Sequence, residues 1–114
     1  MVKVKTSTTS VSDDTLTALV AAPGEKSFLN ITKLEFSNPI EVSAGGANEF
    51  VDVYYGDELA WQQIPVPAGL GSGDKDFDDP LILPENTALK FKTTVGTATV
   101  YANAAYFVDP QAPG

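Results

Sequence analysis

The chain has no cysteine and no histidine, and all seven of its basic residues are lysine. Without cysteine, a disulfide framework, a thiolate nucleophile and a cysteine metal site are all excluded. Without histidine, the commonest general base and the commonest zinc ligand are missing. We therefore expect a protein that is not an enzyme and that binds no cofactor.

Positive charge is scarce, with fifteen acidic residues against seven lysines and a formal net charge of −8. A protein of this sign is repelled by nucleic acid and by anionic membrane surfaces, so we expect neither as a partner. Long apolar runs are also scarce, and the opening MVKVKTSTTS contains no stretch typical of a signal peptide. These features predict a protein that is made in a cytoplasm.

The sequence also lacks the periodicity of helices. It consists of short alternating segments that are separated by Gly and Pro. With 114 residues, 43% of them hydrophobic, the length fits one domain. About eight short strands with turn signals every ~8–12 residues indicate an all-β fold, an antiparallel β-sandwich. The predicted topology is a jelly roll, and an open barrel is the alternative.

Residues 87–108 show the clearest local pattern, that of a β-hairpin. Gly96 and Thr97 suit a two-residue type II′ turn, which leaves one face apolar and the other polar. Such a hairpin packs one face on a core and exposes the other, so Lys90 and Lys92 should be exposed. The predicted pairs are Val95 with Ala98, Thr93 with Val100, Phe91 with Ala102, and Leu89 with Ala104.

A second hairpin is predicted at residues 49–66, with a three-residue loop at 56–58. In that register Tyr55 faces Leu59, Val53 faces Trp61, Val51 faces Gln63, Tyr54 faces Ala60 and Phe50 faces Ile64.

Residues 26–38 form a strand whose apolar face switches midway, which is typical of a β-bulge or of a bend between two sheets. Leu29 and Ile31 lie on one face, and Leu34 and Phe36 lie on the other. We also predict a strand at 15–22, in which Leu16, Ala18 and Val20 share a face, a short continuation at 40–43 and a mobile loop at 69–73.

The predicted organisation is an N-terminal arm or edge strand at residues 1–12, a single sandwich domain at 13–109 and a tail at 110–114. Lysines at the start of the chain would protect a free sheet edge, or would serve an arm that orders on a partner. The candidate interface residues are Val2, Lys3, Val4, Lys5, Tyr54, Trp61 and Tyr101.

Two groups of side chains suggest ligand chemistry. Asp74, Asp76 and Asp78, with Glu85 beyond them, follow the spacing of a calcium loop, but Asp79 replaces its essential Gly. A solvated strand face is the favoured interpretation, so we predict no metal site. The aromatic residues Tyr54, Tyr55, Trp61 and Tyr101 would suit a sugar site, although core or subunit interface is the commoner use.

Two other catalytic or binding patterns are disfavoured. An acid–base pair for glycoside hydrolysis needs a cleft that a chain of this length has little material to build. The glycine-rich run at residues 69–73 lacks the Lys and the following helix of a phosphate-binding loop. We therefore predict no catalytic residues.

Strand ends and turns follow a pattern in residues 16–39 (LTALVAAPGEKSFLNITKLEFSNP) and 77–107 (FDDPLILPENTALKFKTTVGTATVYANAAYF). A strand and a Pro-Gly turn lead into a strand that ends in Ser-Asn. Later, Leu-Pro, small polar residues and Ala-Leu lead into a final hairpin. This pattern resembles the small virion proteins of tailed bacteriophages, above all the head decoration, or cement, proteins. The resemblance covers most of residues 15–108 and leaves out 41–73.

The resemblance implies a compact β-sandwich that forms a homotrimer on the capsid exterior and binds the major capsid protein. It implies no catalytic residues. We thus expect a structural virion protein that stabilises a phage capsid. The alternative is a carbohydrate- or receptor-binding head domain of a phage fibre, which would expose a coplanar pair among Tyr54, Tyr55 and Trp61. A small enzyme is disfavoured by the missing His and Cys.

Overall fold

The computed structural model describes residues 4–11, 14–94 and 98–109, and the side chains of all of these except 70–78. Within these ranges the chain forms eight strands and one 3₁₀ turn, Val42–Ala44. The strands are β1 (Lys5–Val11), β2 (Thr17–Val20), β3 (Phe28–Asn38), β4 (Glu49–Tyr55), β5 (Glu58–Val66), β6 (Leu70–Ile82), β7 (Leu89–Thr93) and β8 (Val100–Asp109).

The strands form two four-stranded sheets, and all of their pairings are antiparallel. Sheet A has the order β1-β8-β3-β6, and sheet B has the order β2-β7-β4-β5. The hairpin β4–β5 is enclosed by the pairs β3–β6, β2–β7 and β1–β8, as if one long hairpin were rolled up. This is the jelly-roll topology, which confirms the predicted fold class.

The core lies between the two sheets and receives apolar side chains from both. Phe36 of β3 and Phe91 of β7 meet across it with their ring centroids 6.1 Å apart. The largest fully buried apolar side chains are Phe91, Leu29, Ile31, Leu83, Leu89, Val51, Val53, Val66 and Val100.

A bulge in β3 explains its switching apolar pattern. The register of β3 with both β6 and β8 shifts between Ile31 and Lys33. One extra residue reverses the face of every later side chain, so Leu34 and Phe36 join Leu29 in the core. The predicted bulge is confirmed. The alternative bend between two sheets is wrong, because the whole of β3 stays in sheet A.

The predicted hairpin at 87–108 is wrong, because its two strands belong to different sheets. Phe91 pairs with Thr17 and Val53 in sheet B, whereas Ala102 pairs with Thr9 and Phe36 in sheet A. Both strands still turn their apolar face inward, but they reach the core from opposite sides.

The burial predicted for this hairpin is largely confirmed. Leu89, Phe91, Ala102 and Ala104 are all buried. The two lysines of β7 are only half-exposed, since both lie among the side chains of β4. The predicted turn residues Gly96 and Thr97 lie outside the described residues, as does Val95, which was predicted to be buried opposite Ala98.

The second hairpin is confirmed as β4–β5, and Val53 does pair with Trp61. The rest of its predicted register is wrong, because the loop has two residues, Gly56 and Asp57, and the ladder shifts twice. Gly56 takes a positive φ of 63°, which a tight turn of this kind favours. The remaining observed pairs are Tyr55 with Glu58, Tyr54 with Leu59, Val51 with Ile64, Phe50 with Pro65 and Glu49 with Val66.

Three smaller predictions are also corrected. The strand continuation at 40–43 is replaced by the 3₁₀ turn, and the loop at 69–73 is largely strand, because β6 begins at Leu70. In β2 the predicted common face fails, since Ala18 is exposed while Leu19 and Val20 are both buried. A register shift between Ala18 and Val20 places these adjacent residues in the core.

Buried polar side chains organise the end of the sandwich where β3 passes to β4. The amide nitrogen of Asn38 donates to the carbonyl oxygens of Ala47 at 2.8 Å and Val66 at 3.1 Å. Nearby, the buried carboxylate of Glu49 accepts a hydrogen bond from the backbone N–H of Ala98 at 3.0 Å. These bonds hold the β3–β4 and β7–β8 connections to the sheets.

Candidate functional site

The four aromatic residues singled out in the sequence do not form one site. Tyr55 and Trp61 pack against the core, edge to face, with centroids 6.2 Å apart and an interplanar angle of 77°. Tyr54 alternates with Tyr55 and lies on the outer face of sheet B, whereas Tyr101 lies on sheet A. The perpendicular Tyr55–Trp61 pair is unlike a flat stacking platform for sugars. Burial raises the pKa of the Tyr55 hydroxyl.

The outer face of sheet B combines aromatic, apolar and cationic side chains. We call it the basic-aromatic face and define it by Phe50, Tyr54, Leu59, Lys90 and Lys92. Tyr54 pairs with Leu59 on one side and with Lys90 on the other. Phe50 and Leu59 are both exposed although they are large apolar residues. Exposed apolar groups beside charges are typical of a protein-binding surface.

Local contacts hold the two lysines of this face in place. The Nζ atom of Lys92 lies 5.6 Å from the ring centroid of Tyr54, which is cation–π distance. The Nζ atom of Lys90 lies 3.6 Å from Oδ1 of Asp57 in the hairpin loop. This exposed ion pair is worth at most about 1 kcal/mol, so it orients Lys90 more than it stabilises the fold. Both lysines thus have a carboxylate of the same chain nearby, since Lys92 lies opposite Asp52 in the neighbouring strand.

The outer face of sheet A contains a shallow pocket of about 210 Å³. It lies over the two central strands, β8 and β3, and extends to the edge strand β1. The side chains that line it are Thr8, Glu35, Ser37, Tyr101 and Asn103, above a floor at Phe36 and Ala102. Alternation in each strand predicts that these residues face solvent, but only the strand order brings them together.

The predicted arm is partly an edge strand, because Lys5–Val11 forms β1 and pairs with β8 along its whole length. Ser7 also bonds to the carbonyl oxygen of Leu19 at 2.6 Å, which ties β1 to β2. Val4 and Lys5 are exposed. Val2 and Lys3 lie outside the described residues, so their interface role stays a prediction.

The acidic run is positioned by strand β6 at the edge of sheet A. In the backbone ladder Asp74 pairs with Glu35 and Asp76 pairs with Lys33. The side chains of Asp74, Asp76 and Asp78 are not among those that the structure describes. Glu85 has a structural contact, since its carboxylate accepts the N–H of Lys26 at 3.0 Å. Among the described side chains, no group of three or more potential ligands is placed to bind a metal ion.

The sequence did not single out two exposed apolar residues, Ile40 and Val42, beside the 3₁₀ turn. A strand was predicted there, and in a strand the two side chains would have shared one face. The signal available was the neighbouring Gly45, which ends the turn with a φ of 94°.

The whole fold is similar to that of vertex protein P5 of phage PRD1. The TM-score is 0.52 and the identity is 14%, over 91% of this chain and 94% of that chain. No protein family and no curated protein matches the sequence. In the described part of the chain, no helix is long and apolar enough to cross a membrane. The chain is thus similar in fold to a vertex protein along nearly its full length.

Proposed function

We propose that this chain is a structural virion protein that binds the outside of a phage capsid and stabilises it by adhesion, without catalysis. The observation that supports this proposal is the fold shared with the vertex protein of PRD1 over 91% of the chain. The absence of His and Cys from the sequence agrees with a non-catalytic role. The proposed partners are the major capsid protein and two further copies of this chain.

The small size of the domain is the reason for proposing a homotrimer. One copy of a 12.0 kDa chain would bury ~800 Å² against a capsid, which is the low end for stable binding. Three linked copies at a threefold position convert this weak contact into a strong one through effective concentration. The trimer would therefore hold to the capsid through three weak contacts that act together.

The basic-aromatic face is the proposed contact between copies. Phe50 and Leu59 are exposed apolar residues on it, and Tyr54 supplies a half-buried ring between them and the lysines. Trp61, a candidate from the sequence, is less suitable because it packs against the core. The lysines of this face have carboxylates of the same chain beside them, so the exposed apolar side chains would make most of the contact between copies.

The N-terminal segment is the proposed contact with the capsid lattice. Its exposed residues Val4 and Lys5 lie beside the free edge of β1, where an extended capsid segment has backbone groups to pair with. Deleting residues 2–10 would remove most of β1 and uncover β8. The informative deletion is therefore of residues 2–4, which leaves β1 whole.

The test combines light scattering with cosedimentation on heads that lack this protein. Wild type should have three times the 12.0 kDa chain mass and should bind the heads. Leu59→Lys should be monomeric, with head binding weaker by roughly 10²–10⁴ as avidity is lost. Ile82→Lys is the matched control, because Ile82 is 44% exposed against 45% for Leu59 but lies on sheet A.

Each outcome addresses a separate part of the proposal. A wild-type protein that does not bind heads refutes the decoration role. A monomer that binds heads refutes the trimer, and head binding that survives deletion of residues 2–4 refutes the N-terminal contact. Immunogold labelling of fibre tips, with unlabelled heads, would instead establish the fibre head-domain alternative.

A further inference from the structure

We propose that the 3₁₀ turn between β3 and β4 is a second contact with the major capsid protein, which it enters at an apolar site bordered by basic residues. The contact is formed by Ile40, Glu41 and Val42, which we call the apolar tip. It rests on the proposed decoration role and adds the chemistry of the surface that receives the chain. Each copy would then be held to the capsid at both of its ends.

The apolar tip exposes two branched apolar side chains within three residues of the chain. Among the side chains that the structure describes, Val42 is the most exposed large apolar one, at 66%, and Ile40 is 50% exposed. Single exposed apolar residues are common on protein surfaces, but two on one turn form a patch. Such patches are typical of protein-binding surfaces.

Hydrogen bonds fix the shape of the turn that carries these side chains. The carbonyl oxygen of Glu41 accepts the backbone N–H groups of Ala44 at 2.9 Å and Gly46 at 2.8 Å. Beyond the turn, Oδ1 of Asn48 accepts the N–H of Ala68 at 3.0 Å, which joins this connection to the β5–β6 turn. The backbone therefore holds both apolar side chains in solvent, and docking them orders little additional chain.

The apolar tip and the N-terminal segment lie at opposite ends of the sandwich. β1 begins at Lys5 and ends at Val11, which pairs with Val100 at the start of β8. Because β3 is antiparallel to β8, its last residue, Asn38, lies at this second end, just before the tip. The seven residues of β1 at ~3.3 Å each separate the two contacts by roughly 20 Å. A copy held at both ends would lie along the capsid surface.

The charge of the connections at this end is entirely negative. The connections are residues 12–16, 39–48, 67–69 and 94–99, and their only charged residues are Asp13, Asp14 and Glu41. Glu41 is exposed between the two apolar residues of the tip. Charges across an interface are arranged to be complementary, so Lys or Arg should border the apolar site that receives the tip.

Cross-linking tests the contact directly, because the chain has no cysteine of its own to interfere. Val42→Cys is labelled with benzophenone maleimide and illuminated together with heads that lack this protein. The label should become attached to the major capsid protein. Ile82→Cys is the matched control, since Ile82 is 44% exposed but lies on the face of sheet A. It should give at least tenfold less of this product.

Cosedimentation measures how much the tip contributes to head binding. The double variant Ile40→Ser, Val42→Ser should remain trimeric and should bind heads at least ~tenfold more weakly, because the apolar area buried per copy is lost. Glu41→Lys should also weaken binding, and the loss should be smaller at high salt, which screens exposed charges. Asp79→Lys, an exposed charge reversal on β6, is its control and should bind as wild type does.

The outcomes separate this contact from the decoration role on which it rests. Wild-type protein that does not bind heads refutes the decoration role and the tip contact together. Wild-type protein that binds heads, with equal cross-linking from positions 42 and 82 or with undiminished binding by the double variant, overturns the tip contact alone. Cross-linking of position 42 to another copy of this chain, and equal losses in Glu41→Lys and Asp79→Lys, would also overturn it.

Discussion

At the scale of single residues, Phe91 shows how the two sheets are joined. It is 1% exposed, pairs with Val53 and Thr17 within sheet B and meets the ring of Phe36 from sheet A at 6.1 Å. Its ring therefore fills the space between the layers. Truncation leaves a cavity that neighbours on rigid strands cannot close.

Phe91→Ala should reduce the free energy of unfolding by ~3–5 kcal/mol, the usual loss for an aromatic ring in a core. Urea denaturation followed by tryptophan fluorescence measures it, since Trp61 packs against the same core. Ile82→Ala, at an exposed position, is the control and should stay within ~0.5 kcal/mol of wild type. A loss below ~1 kcal/mol for Phe91→Ala would contradict this role.

Tyr55 makes stability depend on pH in the alkaline range. Burial raises the pKa of its hydroxyl above the ordinary value of 10.0. The folded protein thus holds this proton more tightly than the unfolded chain does. The stability that the protonated Tyr55 hydroxyl contributes is fully present below about pH 10, and it is lost as the pH rises through the raised pKa. In Tyr55→Phe the free energy of unfolding should fall less between about pH 9 and 11 than in wild type. Equal falls in the two proteins would refute this linkage.

At the scale of elements, the β3–β4 connection shows how a turn is determined by one small residue. The backbone N–H of Gly46 donates to the carbonyl oxygen of Glu41 at 2.8 Å. A Cβ at this position would overlap the carbonyl of Ile40 and approach that of Glu41. The chain can close tightly around the 3₁₀ turn only because residue 46 lacks a side chain.

Gly46→Ala should destabilise the protein by ~1–3 kcal/mol, because backbone atoms rather than a flexible side chain must move. Thermal unfolding monitored by circular dichroism measures the change. Ala44→Ser, an exposed substitution in the same turn, should leave the midpoint nearly unchanged. Similar midpoints for Gly46→Ala and wild type would show that the turn opens without cost.

At the scale of the whole molecule, the jelly roll makes nearly all strand pairing distant in sequence. Among the strands that the structure describes, only β4 and β5 are adjacent both in the chain and in a sheet, whereas β1 pairs with β8 near the other end of the chain. Long loops must therefore close before most pairs form. Domains of this kind fold in roughly milliseconds to seconds.

The β4–β5 hairpin should form early, since its loop is the shortest to close. For the same loss in the free energy of unfolding, Val53→Ala in β4 should slow refolding more than Val100→Ala in β8 does. The two valines are matched, with 1% and 0% exposure. Stopped-flow folding and unfolding rates give the φ-values, and a higher φ-value at Val100 would contradict this order.

Several features of the protein follow from sequence alone because their causes are local. Alternation and turn residues predicted an all-β sandwich, and the reversed alternation from Ile31 to Leu34 predicted either a bulge in β3 or a bend between sheets, of which the bulge is observed. The β4–β5 hairpin was predicted because its two strands are joined by a short loop, although its register needed the bulges. Composition likewise excluded cysteine and histidine chemistry.

Tertiary structure decided which strand lies beside which. Alternation identifies the buried face of β7 and of β8, but two strands facing one core look the same whether they share a sheet or oppose each other. The sheet order therefore separated Tyr54 from Tyr101 and gathered Thr8, Glu35 and Asn103 from distant parts of the chain. Such groupings depend on long-range pairing, which is determined by the packing of the whole core and not by neighbours in sequence.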